Sequence, residues 1–172
     1  MLLAKEFDLT SAQIMEMINR RARLGVAVRG GVAEQHLQRL LERSRLIQIV
    51  AFLDRDGEPD FEITLASGRK LLVECKNASP HRYSNGDAKV EVQKTRASRG
   101  DPLSRYYRYE QFDILAACMW AVTKRWEFRF LPSPLLEPLS GAPTRIRPMQ
   151  PIAEPPWTND FDAVIGRVDE ER

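Results

Sequence analysis

Apolar residues recur at helical spacing in the first part of the chain. They form a stripe through residues 14–24, and Gly25 predicts the end of that helix. Gly30–Gly31 predicts a second turn, and the apolar spacing then favours another helix over residues 32–45. Glu34 falls in the first turn of that helix, where the helix dipole stabilises a negative charge.

Three short segments that follow have the pattern of β-strands. Residues 46–53 are apolar and rich in β-branched side chains, and residues 60–65 alternate between polar and apolar. Residues 70–76 form the third segment. Turn-forming residues separate the segments, at 54–57 and at Ser67–Gly68. The pattern therefore predicts three strands, joined by tight turns as an antiparallel meander.

The second half of the chain has a less uniform pattern. Residues 102–111 favour a short helix, whereas residues 89–95 suit either a strand or a helix. Residues 112–120 are mostly apolar, which indicates a buried strand or the start of a helix, and residues 126–131 alternate like a strand. We expect an α/β fold, with a central mixed sheet of four to five strands flanked by helices.

Proline is concentrated near the end of the chain. Eight of the eleven prolines lie between Pro132 and Pro156. This composition is typical of an extended segment and not of a second folded domain. We therefore predict a folded domain with N-terminal helices over residues 1–131, and a Pro-rich C-terminal arm over residues 132–172. The arm is expected to pack on the domain or on a partner.

Length and composition exclude several classes of protein. The 172 residues contain no apolar run long enough to span a membrane, and the first residues lack the apolar segment of a signal peptide. Cys75 and Cys118 are the two cysteines, too few for a disulfide scaffold. We expect two reduced core thiols in a cytoplasmic protein.

The net charge of +2 is unevenly distributed. Residues 20–45 carry seven Arg against two acids, and residues 82–108 carry seven basic side chains against three acids. Arginine binds phosphate through paired hydrogen bonds. Two basic zones that flank an acidic site suit a nucleic-acid groove, although solvated helix faces explain each zone equally well.

Two acids and a lysine are predicted to converge on neighbouring strands. Asp60 starts the second strand, and alternation places Glu74 and Lys76 on one face of the third. If Ser67–Gly68 forms the hairpin turn, Asp60 lies beside Cys75 or its neighbours. Asp60, Glu74, the backbone carbonyl of Cys75 and waters then supply the oxygen ligands that Mg²⁺ requires. Ordinary surface charges on an exposed hairpin are the alternative.

The order of these motifs resembles the PD-(D/E)XK nuclease superfamily, and type II restriction endonucleases in particular. The motifs are Pro59–Asp60, then Glu74 to Lys76 (ECK), then FDILAAC at 112–118, after a helix that carries Glu34. The resemblance implies a restriction-endonuclease-like core, in which Asp60 and Glu74 are metal ligands and Lys76 is the catalytic lysine. It also implies Mg²⁺ as cofactor, with Mn²⁺ as a substitute, and a role for Glu34 through metal or water.

On this basis we expect a magnesium-dependent endonuclease of the restriction type, which hydrolyses DNA phosphodiester bonds. A homodimer is expected, because two-fold symmetry suits the cutting of both strands of a duplex. A junction-resolving or repair nuclease of the same fold is one alternative. A non-cleaving nuclease-fold subunit that binds DNA, or a protein partner, is another.

The second basic zone supplies the candidate DNA contacts, because it directly follows the third strand. Its cations are expected to contact backbone phosphates. They are Lys94, Arg96, Arg99, Arg105 and Arg108. Tyrosines in and near this zone can pack on sugars or bases, but core packing is expected for at least two of Tyr83, Tyr106, Tyr107 and Tyr109.

Overall fold

The fold is α/β, built on a mixed sheet, in a computed structural model that describes residues 3–55, 57–94 and 97–170. The described strands alternate with loops, short turns and helices along the chain. They are β1 (Ile47–Phe52), β2 (Phe61–Leu65), β3 (Lys70–Asn77), β4 (Ala88–Glu91), β5 (Ile114–Cys118), β6 (Phe128–Pro132), β7 (Pro138–Leu139), β8 (Ala142–Ile146) and β9 (Met149–Ile152).

The described helices lie mostly at the two ends of the chain. They are α1 (Leu3–Glu6), α2 (Ser11–Arg20), α3 (Ala22–Leu41), α4 (Trp120–Thr123) and α5 (Phe161–Glu170). The chain divides within α3 into two compact units, of which the first ends at Val32 and the second begins at Ala33. None of the helices in the described ranges is long and apolar enough to cross a membrane.

The first unit contains α1, α2 and the start of α3. Thr10 caps α2 reciprocally with Gln13: the Gln13 N–H donates to the Thr10 hydroxyl over 3.2 Å, and the Thr10 N–H donates to the Gln13 side chain over 2.8 Å. The predicted helix break at Gly25 and turn at Gly30–Gly31 are wrong, because α3 continues through all three glycines. A glycine costs a helix about 1 kcal/mol, less than ending the helix and nucleating another.

The second unit is organised around a five-stranded sheet in the order β1-β2-β3-β5-β6. Strands β1, β2 and β3 form the predicted antiparallel meander, and β5 pairs with β6 antiparallel. Strand β3 pairs with β5 in parallel, with Glu74 opposite Leu115. The prediction of a mixed sheet of four to five strands is therefore confirmed. All five residues of β5 are buried, which resolves the ambiguity over residues 112–120 in favour of a strand.

Each face of this sheet packs against its own core. On one face, Val73 and Ala116 pack with apolar side chains from the end of α3 and from α5. On the other face, Leu115 and Ala117 pack with residues of β4, β8 and β9, and with Tyr107. The two-residue alternation of β3 and β5 thus divides their side chains between two cores, which makes these strands the most enclosed part of the unit.

The proline-rich segment contains regular structure. Strands β7 and β8 form a hairpin, β9 pairs with β4, and α5 follows. Phe161 of α5 meets Phe130 of β6 edge-to-face, with ring centroids 5.0 Å apart. The segment is therefore not extended throughout, and its last helix contributes to one of the cores. A domain boundary after residue 131 stays a prediction.

Residues 102–111 differ from the predicted short helix. They form two 3₁₀ turns, Pro102–Arg105 and Tyr109–Gln111, separated by extended backbone. Pro102 and the cap by Asp101, whose carboxylate accepts from the Leu103 N–H over 3.0 Å, define the start of the first turn. This interruption places Tyr107 between the two turns.

We predict that Phe161→Ala lowers the free energy of unfolding by about 3–5 kcal/mol, because it removes a buried ring from the core under α5. Denaturant titration measures the change. Ala163→Ser, at an exposed position of the same helix, is the control and should shift stability by no more than about 0.5 kcal/mol. Equal stability of the two variants would show that α5 does not support the core.

Candidate active site

The hairpin register brings Asp60 next to the end of β3. Phe61 is opposite Val73 in the β2–β3 ladder, so continuing the register places Asp60 opposite Glu74. The Asp60 Oδ2 accepts a hydrogen bond from the Cys75 N–H over 2.7 Å. The contact between Asp60 and Cys75 is the one that the hairpin predicted.

Pro59 affects the backbone of Cys75. The same register places Pro59 opposite Cys75, and proline has no N–H to donate to a neighbouring strand. In a strand the N–H and C=O of one residue point to the same side, and the Cys75 N–H points towards Asp60. The Cys75 carbonyl therefore faces the Asp60 side as well, at a place where the ladder supplies no donor. Its role as a ligand stays a prediction.

Glu74 is the most unusual side chain of the site. It is only 1% exposed, although it carries a carboxylate. Its Oε1 accepts a hydrogen bond from the Tyr107 hydroxyl over 2.6 Å and another from the Lys76 ammonium. Its Oε2 is buried, and no group in the described part of the chain hydrogen-bonds to it. A buried carboxylate oxygen without a donor is costly, so it marks a place where a ligand would be stabilising.

Lys76 is held in its charged form. Burial lowers the pKa of its ammonium, but the charge of Glu74, with Tyr107, Asp60 and the hydrogen bond to Glu74, together raise this pKa by more. The pKa therefore lies well above the ordinary lysine value. Its Nζ also lies 5.8 Å from the centre of the Tyr107 ring, where the π face favours a cation. Lys76 is therefore a fixed positive charge at neutral pH.

Asp60 has the opposite tendency, towards the neutral form. Burial, and then the negative charge of Glu74, raise its pKa to about 7, against the opposing effects of Lys76 and of the Cys75 N–H. The charge of Glu74 thus destabilises the ionised form of Asp60. A cation between them would remove this cost by favouring both carboxylates.

Glu34 lies within electrostatic reach of these groups. Burial raises the pKa of its carboxyl; Lys76 lowers this pKa, and Glu74 and Asp54 raise it. The predicted place of Glu34 in the first turn of a helix is wrong, because α3 begins at Ala22 and Glu34 lies in its second half. Stabilisation by the helix N-terminus therefore does not explain this acid. Its position near Lys76 is the better explanation.

Asp60 and Glu74 line a cleft of about 780 Å³. Lys94 is the member of the predicted DNA-contact set that lines it, with its Nζ 5.4 Å from the centre of the Tyr107 ring. The side chains and backbone around the cleft come from the end of β3, the loop before β2 and the loop after β4. They are Arg55, Gly57, Glu58, Asp60, Glu74, Lys76, Lys94, Ala97, Ser98 and Tyr107.

Among the described residues, the other predicted DNA contacts, Arg99, Arg105 and Arg108, lie outside this lining. Arg105 supports Lys94, because its Nε donates to the Lys94 carbonyl over 3.1 Å. Arg99 is exposed, and Arg108 is exposed with its NH1 3.7 Å from the Glu110 carboxylate. Arg96 lies outside the described residues.

The donor set fits a hard divalent cation that keeps several waters. Within the described ranges, no three His, Cys, Asp or Glu side chains are grouped as a metal site. Asp60 and Glu74 would supply two side-chain oxygens, one of them Glu74 Oε2, to which no described group hydrogen-bonds. The Cys75 carbonyl would supply a third oxygen, and water the rest, as is usual for Mg²⁺.

Comparisons with known proteins identify a similar fold and do not identify the reaction. No protein-family model matches the sequence, and no curated protein matches it significantly. The structure is similar to that of a bacterial homing endonuclease, I-Ssp6803I, with a TM-score of 0.52, 18% sequence identity, and coverage of 84% of this chain and 93% of that one. The fold is one that a nuclease has. At this identity the likeness concerns the fold alone.

We predict that Asp60→Asn stabilises the protein at pH 8 in EDTA by about 2 kcal/mol. The folded state binds the Asp60 proton more tightly than the unfolded chain does, because the pKa is raised to about 7. Stability therefore falls as the pH rises from about 4 to about 7, and an amide avoids this loss while keeping the acceptor for the Cys75 N–H.

Thermal unfolding of the parent and the variant between pH 4 and pH 8 measures this difference. The gain in Asp60→Asn should shrink towards pH 4. Glu62→Gln is the matched control, because Glu62 lies on β2 and pairs at the surface with Lys70, 2.7 Å away. A stability difference between Asp60→Asn and the parent that stays constant with pH would contradict the raised pKa.

Proposed function

We propose that this protein is a magnesium-dependent endonuclease that hydrolyses DNA phosphodiester bonds. The observation that carries the proposal is the buried Glu74 carboxylate, which has two donors on one oxygen and none in the described structure on the other. A side chain that served only the fold would have its polar atoms satisfied. An acid beside it, Asp60, and a fixed cation, Lys76, complete a set that suits a metal ion and a phosphate.

The cation would be held by Asp60 Oδ1 or Oδ2, Glu74 Oε2, the Cys75 carbonyl and water. Bound there, Mg²⁺ would lower the pKa of a coordinated water and offset charge on the scissile phosphate. Mn²⁺, which also prefers oxygen ligands, is expected to substitute. Glu34 would act from further away, through a coordinated water.

Lys76 contributes a positive charge and hydrogen-bond donors. With its pKa raised by Glu74, the ammonium keeps its proton at neutral pH, so it binds a phosphate oxygen or orients the attacking water. It does not take the proton from that water in this state. Tyr107 is likewise protonated, because burial and the charge of Glu74 raise the pKa of its hydroxyl.

DNA is the substrate that the surroundings favour. Lys94 lies in the cleft, and Arg99 and Arg108 lie exposed on the segment that follows it. The bacterial homing endonuclease with a similar fold supports the same class of substrate. A site-specific enzyme, of the restriction type that the motif order indicates or of the homing type, is the form we propose. It would act as a homodimer, because each protomer has one site and a duplex has two strands.

Plasmid nicking tests the reaction. We expect the parent to cut in Mg²⁺ or Mn²⁺ and not in EDTA, and Asp60→Asn, Glu74→Gln and Lys76→Ala each to lower the cleavage rate by about 100-fold or more, the usual scale for lost electrostatic stabilisation. Binding of the same DNA in EDTA should persist in all three variants. The control Glu62→Gln removes an acid from the same sheet at a surface ion pair, and it should cut like the parent.

Two results would contradict the proposal. If the three site variants cut like the parent, the reaction takes place elsewhere or comes from a contaminant. If the parent binds DNA but never cuts it, with either metal, the chain is a non-cleaving subunit with a nuclease fold. The DNA-binding arm of the experiment separates that second case from a protein that does not use DNA.

The salt dependence of DNA binding tests the phosphate contacts. We predict that Arg99→Ala weakens binding of any DNA sequence and reduces the slope of log Kd against log salt concentration by about 1, the effect of one lost phosphate contact. Lys70→Ala is the control, because Lys70 begins β3, at the other end of that strand from Lys76. Equal slopes for Arg99→Ala and Lys70→Ala would remove Arg99 from the DNA interface.

A further inference from the structure

Tyr107 contacts Glu74, which the sequence did not predict, and it is held firmly. Its side chain is 5% exposed. Its ring meets Phe112 edge-to-face, with centroids 5.3 Å apart and an interplanar angle of 83°. Its carbonyl accepts from the Ile146 N–H over 2.8 Å, which ties the extended backbone between the two 3₁₀ turns to β8. The hydroxyl therefore occupies a defined place beside β3.

That hydroxyl determines how Glu74 presents its two oxygens. It donates to Glu74 Oε1 over 2.6 Å, and the Lys76 ammonium donates to the same oxygen. Both donors thus fall on one side of the carboxylate. The other oxygen, Oε2, is left without a hydrogen bond from the described residues. A carboxylate fixed in this way offers one oxygen to a ligand at no cost in rotational freedom.

The ring of Tyr107 also lies close to two cations. The Nζ of Lys76 lies 5.8 Å from the ring centre, and the Nζ of Lys94 lies 5.4 Å from it. An aromatic face within about 6 Å stabilises an ammonium without neutralising it. The ring thereby keeps Lys94 at the cleft while leaving its charge available. The Lys94 backbone is held as well, by the Arg105 contacts to its N–H and carbonyl.

We propose that Tyr107 is a positioning residue with two separable functions. Its hydroxyl orients Glu74 so that Oε2 faces a bound divalent cation, and its ring holds Lys94 where it contacts a substrate phosphate. The inference rests on the proposed function, because it concerns the same site. It assigns different effects to two groups. The Tyr107 hydroxyl affects cation affinity and the reaction rate, whereas Lys94 affects substrate binding.

A purely structural tyrosine makes different predictions. The ring fills space in a core and contacts Phe112, and phenylalanine would do the same. In that case, loss of the hydroxyl would cost stability and leave cation affinity unchanged. Tyr109 provides a matched comparison two residues away. It is partly buried, and its hydroxyl donates over 3.0 Å to the Leu136 carbonyl, not to Glu74.

The experiment compares Tyr107→Phe with Tyr109→Phe. Mn²⁺ binding is measured by titration calorimetry without DNA, and kcat and KM are measured on a plasmid substrate. We expect Tyr107→Phe to bind Mn²⁺ about 10- to 100-fold more weakly, the usual effect of removing a partner of a metal ligand. Its kcat should fall with KM for DNA nearly unchanged, because the ring still holds Lys94. Tyr109→Phe should resemble the parent in all three quantities.

Lys94→Met tests the second function independently of the first. It should raise KM for DNA several-fold and leave Mn²⁺ affinity unchanged, the reverse of the pattern in Tyr107→Phe. Thermal unfolding of every variant checks that the protein is folded. If Tyr107→Phe does not fold, the separate effects of Lys94→Met on KM and on Mn²⁺ affinity still decide whether Lys94, which the ring contacts, acts on substrate binding.

The outcomes separate this inference from the proposed function. If Glu74→Gln abolishes Mn²⁺ binding and cutting while Tyr107→Phe matches the parent, the role of Tyr107 is overturned and the proposed function stands. If Lys94→Met changes kcat and not KM, the role of the ring is overturned. If the parent neither binds Mn²⁺ nor cuts DNA, both the proposed function and the role of Tyr107 fail.

Discussion

The site depends on a carboxylate that is buried without being fully paired. Removing an ionised acid from water costs several kcal/mol, and hydrogen bonds or opposite charges must offset that cost. Glu74 receives both kinds of compensation, from Tyr107 and Lys76, on one oxygen only. The neighbouring groups respond to the same charge: it raises the pKa of Lys76 and contributes to the raised pKa of Asp60. Glu74 is therefore the charge that links Lys76, Asp60 and Tyr107 into one site.

The fold supplies the rigidity that this arrangement requires. Strand β3 pairs on both sides, with β2 and with β5, and its alternating side chains enter two cores. Asp113 reinforces the pairing, because its carboxylate accepts from the Leu72 N–H and its own N–H donates to the Leu72 carbonyl, each over 2.8 Å. Glu74 and Lys76 therefore lie on an element that moves less than the loops around the cleft. The loops contribute the walls and the cations.

Local pattern predicted the parts of the site that lie on one hairpin. Alternation identified β2 and β3, and Gly68, with φ of 83°, makes the turn that sets their register and brings Asp60 to Cys75. Glycine misled the prediction for α3, because continuing a helix through a glycine costs less than ending it and nucleating another. The place of Tyr107 beside Glu74 was not predicted, because Tyr107 lies on irregular backbone without periodicity. Its contact with Glu74 spans 33 residues and arises only when the segment before β5 docks on β3.

The position of Asp60 opposite Glu74 distinguishes a binding site from a defect of packing. Many side chains could donate a hydrogen bond to Glu74 Oε2 for purely structural reasons. A nearby hydroxyl, an amide or a second lysine would satisfy this oxygen. The neighbour across the register is instead another acid, Asp60, whose pKa rises partly because of Glu74. A second acid at that place increases the cost of the folded state by itself. A cation that joined the two carboxylates would offset this cost, and this is the physical support for the proposed ligand.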